Sequence, residues 1–175
     1  MPREFPDWIN PWTAAQGKRT YGGTIPLTRM ARLGSLLEHQ RGEAAFEAHF
    51  ALDMDQRPVI RLHAEAELTL MCQASLQPYT TMLRRESELG VVESEAETTL
   101  LSGSLDPVVV ENHRLALAEL VEDELLLALP QVPRNPEVDR VAYHSGPREI
   151  REAEVRTHPF AGLKDQLAET GSKKD

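Results

Sequence analysis

The sequence has little that would tie it to a membrane or to an oxidising compartment. It contains one cysteine, Cys72, which excludes a disulfide within a single chain and is typical of a reducing compartment. No apolar run approaches the roughly 20 residues that span a bilayer, and the start lacks the charged-then-apolar order of a secretory signal. We therefore expect a cytoplasmic protein without membrane contact.

Basic residues are also scarce, with 19 Lys and Arg against 28 Asp and Glu and a formal net charge of −9. A broad, sequence-independent nucleic-acid surface needs clustered Lys and Arg, so this class of protein is disfavoured. Residues 84–130 carry −8, whereas residues 1–42 carry +3 and both tryptophans. This distribution favours a basic protein partner and leaves direct RNA contact open.

The signatures of several common enzyme classes are missing from the sequence. It has no phosphate loop, no GxSxG elbow, no HExxH motif and no Gly-rich dinucleotide turn. Cys72 lies in "TLMCQASL", where no neighbouring base would activate the thiol, so a buried thiol at the end of a strand is expected. We expect no enzymatic activity and no cofactor.

Two segments alternate apolar and polar residues with the period of two that is typical of half-buried strands. These are "AFEAHFALD" and "VIRLHAEAELTLM", joined by the turn-forming "DMDQRP". They predict a hairpin within residues 43–71 that pairs Leu52 with Ile60 and Phe50 with Leu62. This register places the large apolar groups on one face.

The same register places His49 directly opposite His63 on the outward face, flanked by Glu47 and Glu65. Two imidazoles and two carboxylates resemble a metal site. However, nothing in the sequence supplies the hydrogen-bond partners that would orient the imidazoles. We interpret these side chains as solvent-exposed polar groups and expect no bound metal.

The remaining segments predict helices and further strands. Apolar residues at helical spacing in "TRMARLGSLLEHQ" predict a short helix over residues 27–39. "PYTTMLRRESELGVV" reads as a third strand, "ESEAETTLLSGSL" as an acidic, flexible connection, and "DPVVVEN" as a short fourth strand. A helical pattern over residues 115–129 predicts a helix on the apolar face of the sheet, and Pro130 ends it.

These elements predict an α+β fold. We expect an antiparallel β-sheet, open or barrel-like, with one helix packed on it and a short C-terminal helix within "HPFAGLKDQLAE". The expected organisation is an N-terminal tail over residues 1–20, docked through its tryptophans, an α+β domain over residues 21–133, and an extended C-terminal segment over residues 134–175 with the short helix.

Three consecutive carboxylates occur in "VEDELLLALPQVP", within the long predicted helix. On a helical wheel Glu119, Glu122 and Asp123 fall away from the apolar face, which predicts a solvated acidic patch. Glu124 falls within the apolar face, where a buried carboxylate without a partner would be costly. We therefore expect an arginine or a backbone donor beside Glu124.

The sequence resembles the bacterial YceD family, the large ribosomal RNA subunit accumulation proteins, over about residues 24–168. The resemblance rests on "LVEDELLLALPQVP", on "HPFAGLKDQL" downstream and on "LTLMCQASLQPY" upstream. It implies a cytoplasmic protein that is needed for accumulation of 23S ribosomal RNA, in a family often encoded beside a small basic protein of the large subunit. Many members have C-x-x-C where this chain has Cys72 and Ser75, and a lone thiolate does not build a zinc site.

The resemblance and the charge distribution predict a ribosome-biogenesis factor that binds a ribosomal protein or a pre-ribosomal particle of the large subunit. The expected partner-binding residues lie on the acidic helix, at its exit and in the C-terminal segment: Glu119, Glu122, Asp123, Glu124, Pro130, Pro133 and Phe160. The alternative is a metal-dependent hydrolase or nuclease that uses Glu122, Asp123 and Glu124. Successive helical residues diverge by about 100°, which does not favour convergent metal ligands.

Overall fold

The alternating segments form the centre of a five-stranded sheet. In the computed structural model, which describes residues 5–101 and 103–138, the strands are β1 (Thr20–Pro26), β2 (Glu43–Leu52), β3 (Pro58–Met71), β4 (Pro78–Val92) and β5 (Asp106–Val109). The strands lie in chain order; β1 to β4 are antiparallel, and β5 is parallel to β4. The predicted α+β class is confirmed, and the sheet is not closed into a barrel.

Within the described residues, three α-helices and three 3-10 turns accompany the sheet. The helices are α1 (Pro11–Gln16), α2 (Ala31–Gly34) and α3 (Leu117–Ala128), and the turns span Leu27–Arg29, Glu95–Leu100 and Glu111–His113. Helix α3 confirms the helix predicted over residues 115–129 and packs against β3 and β4. Leu120 and Leu125 are buried in this contact, as expected for its apolar face.

The predicted hairpin is formed, but its register differs by two residues. Phe50 pairs with Ile60 and Leu52 with Pro58, instead of Phe50 with Leu62 and Leu52 with Ile60. The turn sets this register, because Asp53 donates its N–H to the carbonyl of Arg57 and accepts two backbone N–H groups on its side chain. A shift of two keeps every side chain on its predicted face, since the period of a strand is two.

The apolar face of the sheet forms the core. Its buried side chains come from alternate positions of the two central strands: Ala44, Phe46, Ala48, Phe50, Ile60, Leu62, Ala64, Ala66, Leu68 and Leu70. Helix α3 contributes Leu117, Leu120, Val121 and Leu125 from the other side. Burying the larger of these side chains, those of Val, Leu, Ile and Phe, stabilises the fold by about 1.5–3 kcal/mol each.

The helix predicted over residues 27–39 is corrected to two shorter pieces. Met30 has an extended backbone, with φ −100° and ψ 80°, and separates the first 3-10 turn from α2. Helix α2 then ends at Gly34, so Leu36 is exposed instead of continuing an apolar face. Leu27, Met30 and Leu33 are nonetheless buried, as their spacing indicated.

The N-terminal residues dock on the sheet and include a helix that the sequence reading did not predict. Phe5 is buried, and its ring makes an edge contact with Phe46, with a centroid distance of 4.9 Å. Ile9 pairs with Leu115 in an isolated antiparallel bridge. The N-terminal segment therefore belongs to the core from residue 5, instead of docking as an irregular tail.

Beyond α3 the chain leaves in an extended conformation through Pro130 and Pro133. All described residues belong to one compact unit, Met1–Val138. The predicted C-terminal helix, with Phe160, lies outside the described residues. No helix in the described part of the chain is long and apolar enough to cross a membrane.

Candidate protein-interaction surface

The first carboxylate of the acidic run, Glu122, is buried between α3 and α2 at 6% exposure. Its Oε1 accepts the backbone N–H groups of Arg32 and Leu33 at 2.7 and 3.0 Å, and its Oε2 accepts the guanidinium of Arg32 at 3.0 Å. Glu122 thus binds the first N–H groups of α2, which have no partner within that helix. The prediction that Glu122 lies on a solvated face is wrong.

The neighbouring acids Glu119 and Asp123 are more accessible, but they share the same arginine. The Asp123 side chain, 49% exposed, accepts from Nη1 of Arg32, and the carbonyl of Glu119 accepts from Nη2 at 3.5 Å. The hydrogen bond with Glu122, followed by the bond with Asp123, raises the pKa of the Arg32 guanidinium above its ordinary value. Arg32 therefore offsets one negative charge of this part of the predicted acidic patch, and the exposed carboxylate of Glu119 has no ion-pair partner among the described residues.

Glu124 has the arginine partner that its sequence position required. Its carboxylate is 4% exposed, and Oε2 accepts from Nε of Arg85 on β4 at 2.9 Å. Arg85 also lies 3.8 Å from Asp106 at the start of β5. The pair joins α3 to the edge of the sheet and is a structural contact, since Glu124 presents almost no surface to a partner.

The three acids do not converge on one point, because Glu122 contacts α2 while Glu124 contacts β4. A two-metal nuclease site requires carboxylates that share ions about 4 Å apart. Here each buried carboxylate forms an ion pair with an arginine. The hydrolase alternative therefore has no support from the geometry of this cluster.

The proline-flanked exit of α3 contacts the tip of the β3–β4 hairpin. The carbonyl of Pro133 accepts the N–H of Gln73 at 2.8 Å, and the N–H of Asn135 points to Sγ of Cys72 at 3.3 Å. Cys72 is buried at the end of β3, as expected. Pro130 is exposed, Pro133 is half-buried, and Phe160 lies outside the described residues.

A second, larger set of charges lies on the solvent-facing side of the sheet. Six glutamates point outward from β2, β3 and β4, together with two arginines and two histidines: Glu43, Glu47, Glu65, Glu67, Glu86, Glu88, Arg61, Arg84, His49 and His63. We call this set the outer face. With neutral histidines its carboxylates outnumber its cations threefold, so it is strongly acidic.

The arginines of the outer face neutralise only part of its charge. Nε of Arg61 lies 2.8 Å from Glu88, and Nε of Arg84 lies 3.1 Å from Glu65. Within the described part of the chain, Glu43 and Glu67 have no ion-pair partner. Acids of the outer face therefore remain available to a cationic partner.

The histidines of the outer face are not paired with each other. Because the register is shifted, His49 lies opposite Arg61 and His63 lies opposite Glu47, which corrects the predicted His49 and His63 pair. His63 is 3.5 Å from Glu86, and His49 is 3.4 Å from Glu47. The residues that the structure describes contain no group of three or more His, Cys, Asp and Glu arranged to hold a metal.

The sequence was compared with known protein families and proteins, and both comparisons found similar proteins. The family model "Large ribosomal RNA subunit accumulation protein YceD" matches residues 60–166. The chain belongs to the YceD family. It is 27% identical over 131 residues to the Large ribosomal RNA subunit accumulation protein YceD of Haemophilus influenzae, an alignment that covers 74% of this chain and 75% of that protein. No solved structure matches the chain.

The outer face lies partly inside the region that matches the YceD model. That region begins at Ile60 in β3 and includes β4, β5 and α3. Glu65, Glu67, Glu86 and Glu88 lie within it, whereas the acids of β2 precede it. The sequence reading missed this surface as a site, although its signal was present in the polar residues that alternate with the core positions.

Proposed function

We propose that this chain is a non-enzymatic, cytoplasmic ribosome-biogenesis factor that supports accumulation of large-subunit ribosomal RNA. In this proposal it acts by binding a basic protein, or a pre-ribosomal particle that displays one. Membership of the YceD family supports the assignment to large-subunit RNA, as does the name of the Haemophilus influenzae relative. The family alone does not specify how the protein acts.

The observation that carries the binding mechanism is the acidic outer face. Six glutamates share one solvent-facing surface with two arginines, in a chain of net charge −9. Such a surface attracts cationic proteins and repels the phosphate backbone of RNA. The proposed contact with the large subunit is therefore made through protein.

The acidic helix has a secondary part in this proposal. Glu119 and Asp123 remain accessible on α3 and can add contacts, together with Pro130 at the exit of the helix. Glu122 and Glu124 are held by Arg32 and Arg85, so we assign them to stability.

Complementation of a deletion strain tests the proposal. The test variant carries Glu43→Lys, Glu47→Lys and Glu67→Lys on the outer face. The control variant carries the same charge change at exposed positions away from that face, Glu95→Lys, Glu111→Lys and Glu137→Lys. We expect the test variant to lose co-purifying large-subunit proteins and to lower the ratio of large to small subunits in gradients, while the control retains both.

Two results would contradict the proposal at different levels. If the test variant complements fully and retains its partners, the outer face is not the binding surface. If the deletion strain accumulates mature large-subunit RNA normally, the assigned role itself fails.

A further inference from the structure

Most of strand β4 forms an open edge of the sheet. β4 pairs with β3 along Pro78–Gly90 on one side, whereas on the other side it pairs with β5 only at Leu89–Val92. In the described part of the chain, residues 78–88 have no strand beside them on that side. At about 3.4 Å per residue this edge is roughly 35 Å long.

The backbone groups that face this open side can be assigned from the ladder. In an antiparallel pair the N–H and C=O of one residue point to the same side, and the side alternates along the strand. The N–H of Cys72 donates to the carbonyl of Gln77, and the N–H of Val110 on the β5 side donates to the carbonyl of Val92. Odd-numbered residues of β4 therefore bond to β3, and even-numbered residues point away from it.

Five residues consequently direct both backbone groups outward: Thr80, Met82, Arg84, Glu86 and Glu88. Among the described residues no strand lies beside the N–H groups of these five residues or the carbonyls of the first four, whereas the pairing of Leu89 with Asp106 places the N–H of Asp106 at the carbonyl of Glu88. Pro78 continues the same series and has no N–H to lose. Such a row of unpaired donors and acceptors is a template for one more strand.

The side chains next to this edge indicate the chemistry of the added strand. On the outer face Glu86, 85% exposed, and Glu88 lie at the edge of the acidic surface. On the core side Tyr79 and Leu83 are half-buried. With one set of alternate residues a strand placed here would meet the carboxylates of Glu86 and Glu88 at one end and Arg84, which is paired with Glu65, beside them. With the other set it would meet Tyr79 and Leu83 among polar residues.

We propose that the β4 edge captures an extended, basic polypeptide segment of a partner protein as a sixth strand of the sheet. The basic chemistry of this segment rests on the proposed function, whereas the edge geometry stands independently of it. A second copy of this chain fits less well, because it would bring another net charge of −9 to the same place. RNA fits less well because it meets the acidic outer face.

Hydrogen exchange of the full-length chain, followed by NMR, tests the proposal with a defined probe. The probe is an 11-residue peptide of alternating lysine and valine. Residues opposite the outward positions share their face, so lysines placed there donate their own N–H groups to β4. The control peptide is methylated at the backbone nitrogen of every lysine. This keeps the side-chain charge and removes the N–H groups that would donate to β4.

We expect the probe to slow exchange at the outward amides of residues 80, 82, 84, 86 and 88 by at least about tenfold, which corresponds to about 1.4 kcal/mol. The inward amides of β4 should exchange slowly with and without the probe, because they bond to β3. The control peptide should slow the exchange of neither set further. Outward amides that are already slow in the free chain, or that slow with protein concentration, would overturn the proposal. Equal protection by a single-stranded RNA oligonucleotide would also overturn it.

A pair of variants tests the same edge without relying on exchange. Met82→Pro removes one outward N–H and leaves the bonds to β3, which is tolerated on edge strands. Met82→Ala removes the same side chain and keeps the N–H. We expect Met82→Pro to bind the probe at least about tenfold more weakly than Met82→Ala. Equal affinities would contradict the β4 edge proposal. They would not affect the complementation test of the outer face.

Discussion

The acids of α3 and the acids of the outer face are arranged in opposite ways. Glu122 and Glu124 are two residues apart in the sequence, but they are buried on different sides of the helix and bound to different arginines. The glutamates of the outer face are spread from Glu43 to Glu88, yet they form one exposed surface. The densest acidic stretch of this sequence is therefore not its most accessible one.

The difference follows from the periodicities of helix and strand. Successive residues of a helix turn by about 100°, so a run of acids is distributed around the axis. Alternate residues of a strand share a face, and neighbouring strands bring their faces together. Acids of α3 thus contribute mainly to stability and acids of the sheet to charge at the surface, a division that four sets of variants can test.

The largest destabilisation is expected for Leu120→Ala, which removes apolar packing between α3 and the sheet. Leu120 is 5% exposed, and a cavity at such a position costs about 2–5 kcal/mol of unfolding free energy. Chemical denaturation measures this loss. Leu127→Ala on the same helix is the control, because Leu127 is 67% exposed and its truncation should change stability little. Equal stability of both variants would contradict the packing of α3.

A somewhat smaller loss is expected for Glu124→Ala, which leaves Arg85 without its main partner. Breaking a fully buried pair costs about 3–5 kcal/mol, and we expect about 2–3 kcal/mol because Arg85 keeps contact with solvent. The double variant Glu124→Leu with Arg85→Met should recover much of the loss, since neither charge remains unpaired. If the double variant is less stable than Glu124→Ala, the ion pair stabilises the fold by more than each residue's avoidance of an unpaired charge.

The central fold could be read from the sequence where one period dominates. Alternation over β2 and β3 and the helical spacing of α3 identified these elements and their buried faces. The hairpin register could not be chosen, because two registers that differ by two residues bury the same side chains. The Asp53 turn decides between them through hydrogen bonds that composition does not reveal.

Short elements were missed because their signals are local. Helix α1 has six residues, and its start is marked by Asn10, whose side chain accepts the N–H of Thr13 at 3.1 Å, followed by Pro11 at the first turn. Strand β1 contains two glycines and shows no clear alternation. An Asn–Pro start signal was therefore available, whereas β1 depends on pairing with β2.

The candidate site was predictable only in part. The partner of Glu124 could be expected, because its position on the apolar face made an unpaired charge costly. The burial of Glu122 could not, because it depends on α2 beginning at Ala31 and presenting its first N–H groups to a second side of α3. Likewise, alternation places these glutamates on the polar face of each strand, but the order of the three strands is needed to show that they form one surface.

Glu122 and Asp123 allow a direct comparison of a buried and an exposed acid that bind the same arginine. Glu122→Ala removes charge-assisted bonds to Arg32 and to the first N–H groups of α2, and we expect a loss of about 1.5–3 kcal/mol. Asp123→Ala breaks a half-exposed pair and should cost about 0–1 kcal/mol. Thermal denaturation of both variants checks the order. A larger loss for Asp123→Ala would show that the position of Glu122 is wrong.

The smallest effect on stability is expected on the outer face. Glu43 and Glu67 have no ion-pair partner within the described residues, so Glu43→Lys and Glu67→Lys should change the unfolding free energy by no more than about 0.5 kcal/mol. The two substitutions also relieve repulsion within an acidic surface, so a slight gain in stability at low salt is consistent with the arrangement. Denaturation curves at low and high salt measure both effects, because salt screens interactions between exposed charges. A loss of more than about 1 kcal/mol at either position would place that glutamate in a structural contact, as on α3, and would remove the contrast between the two sets of acids.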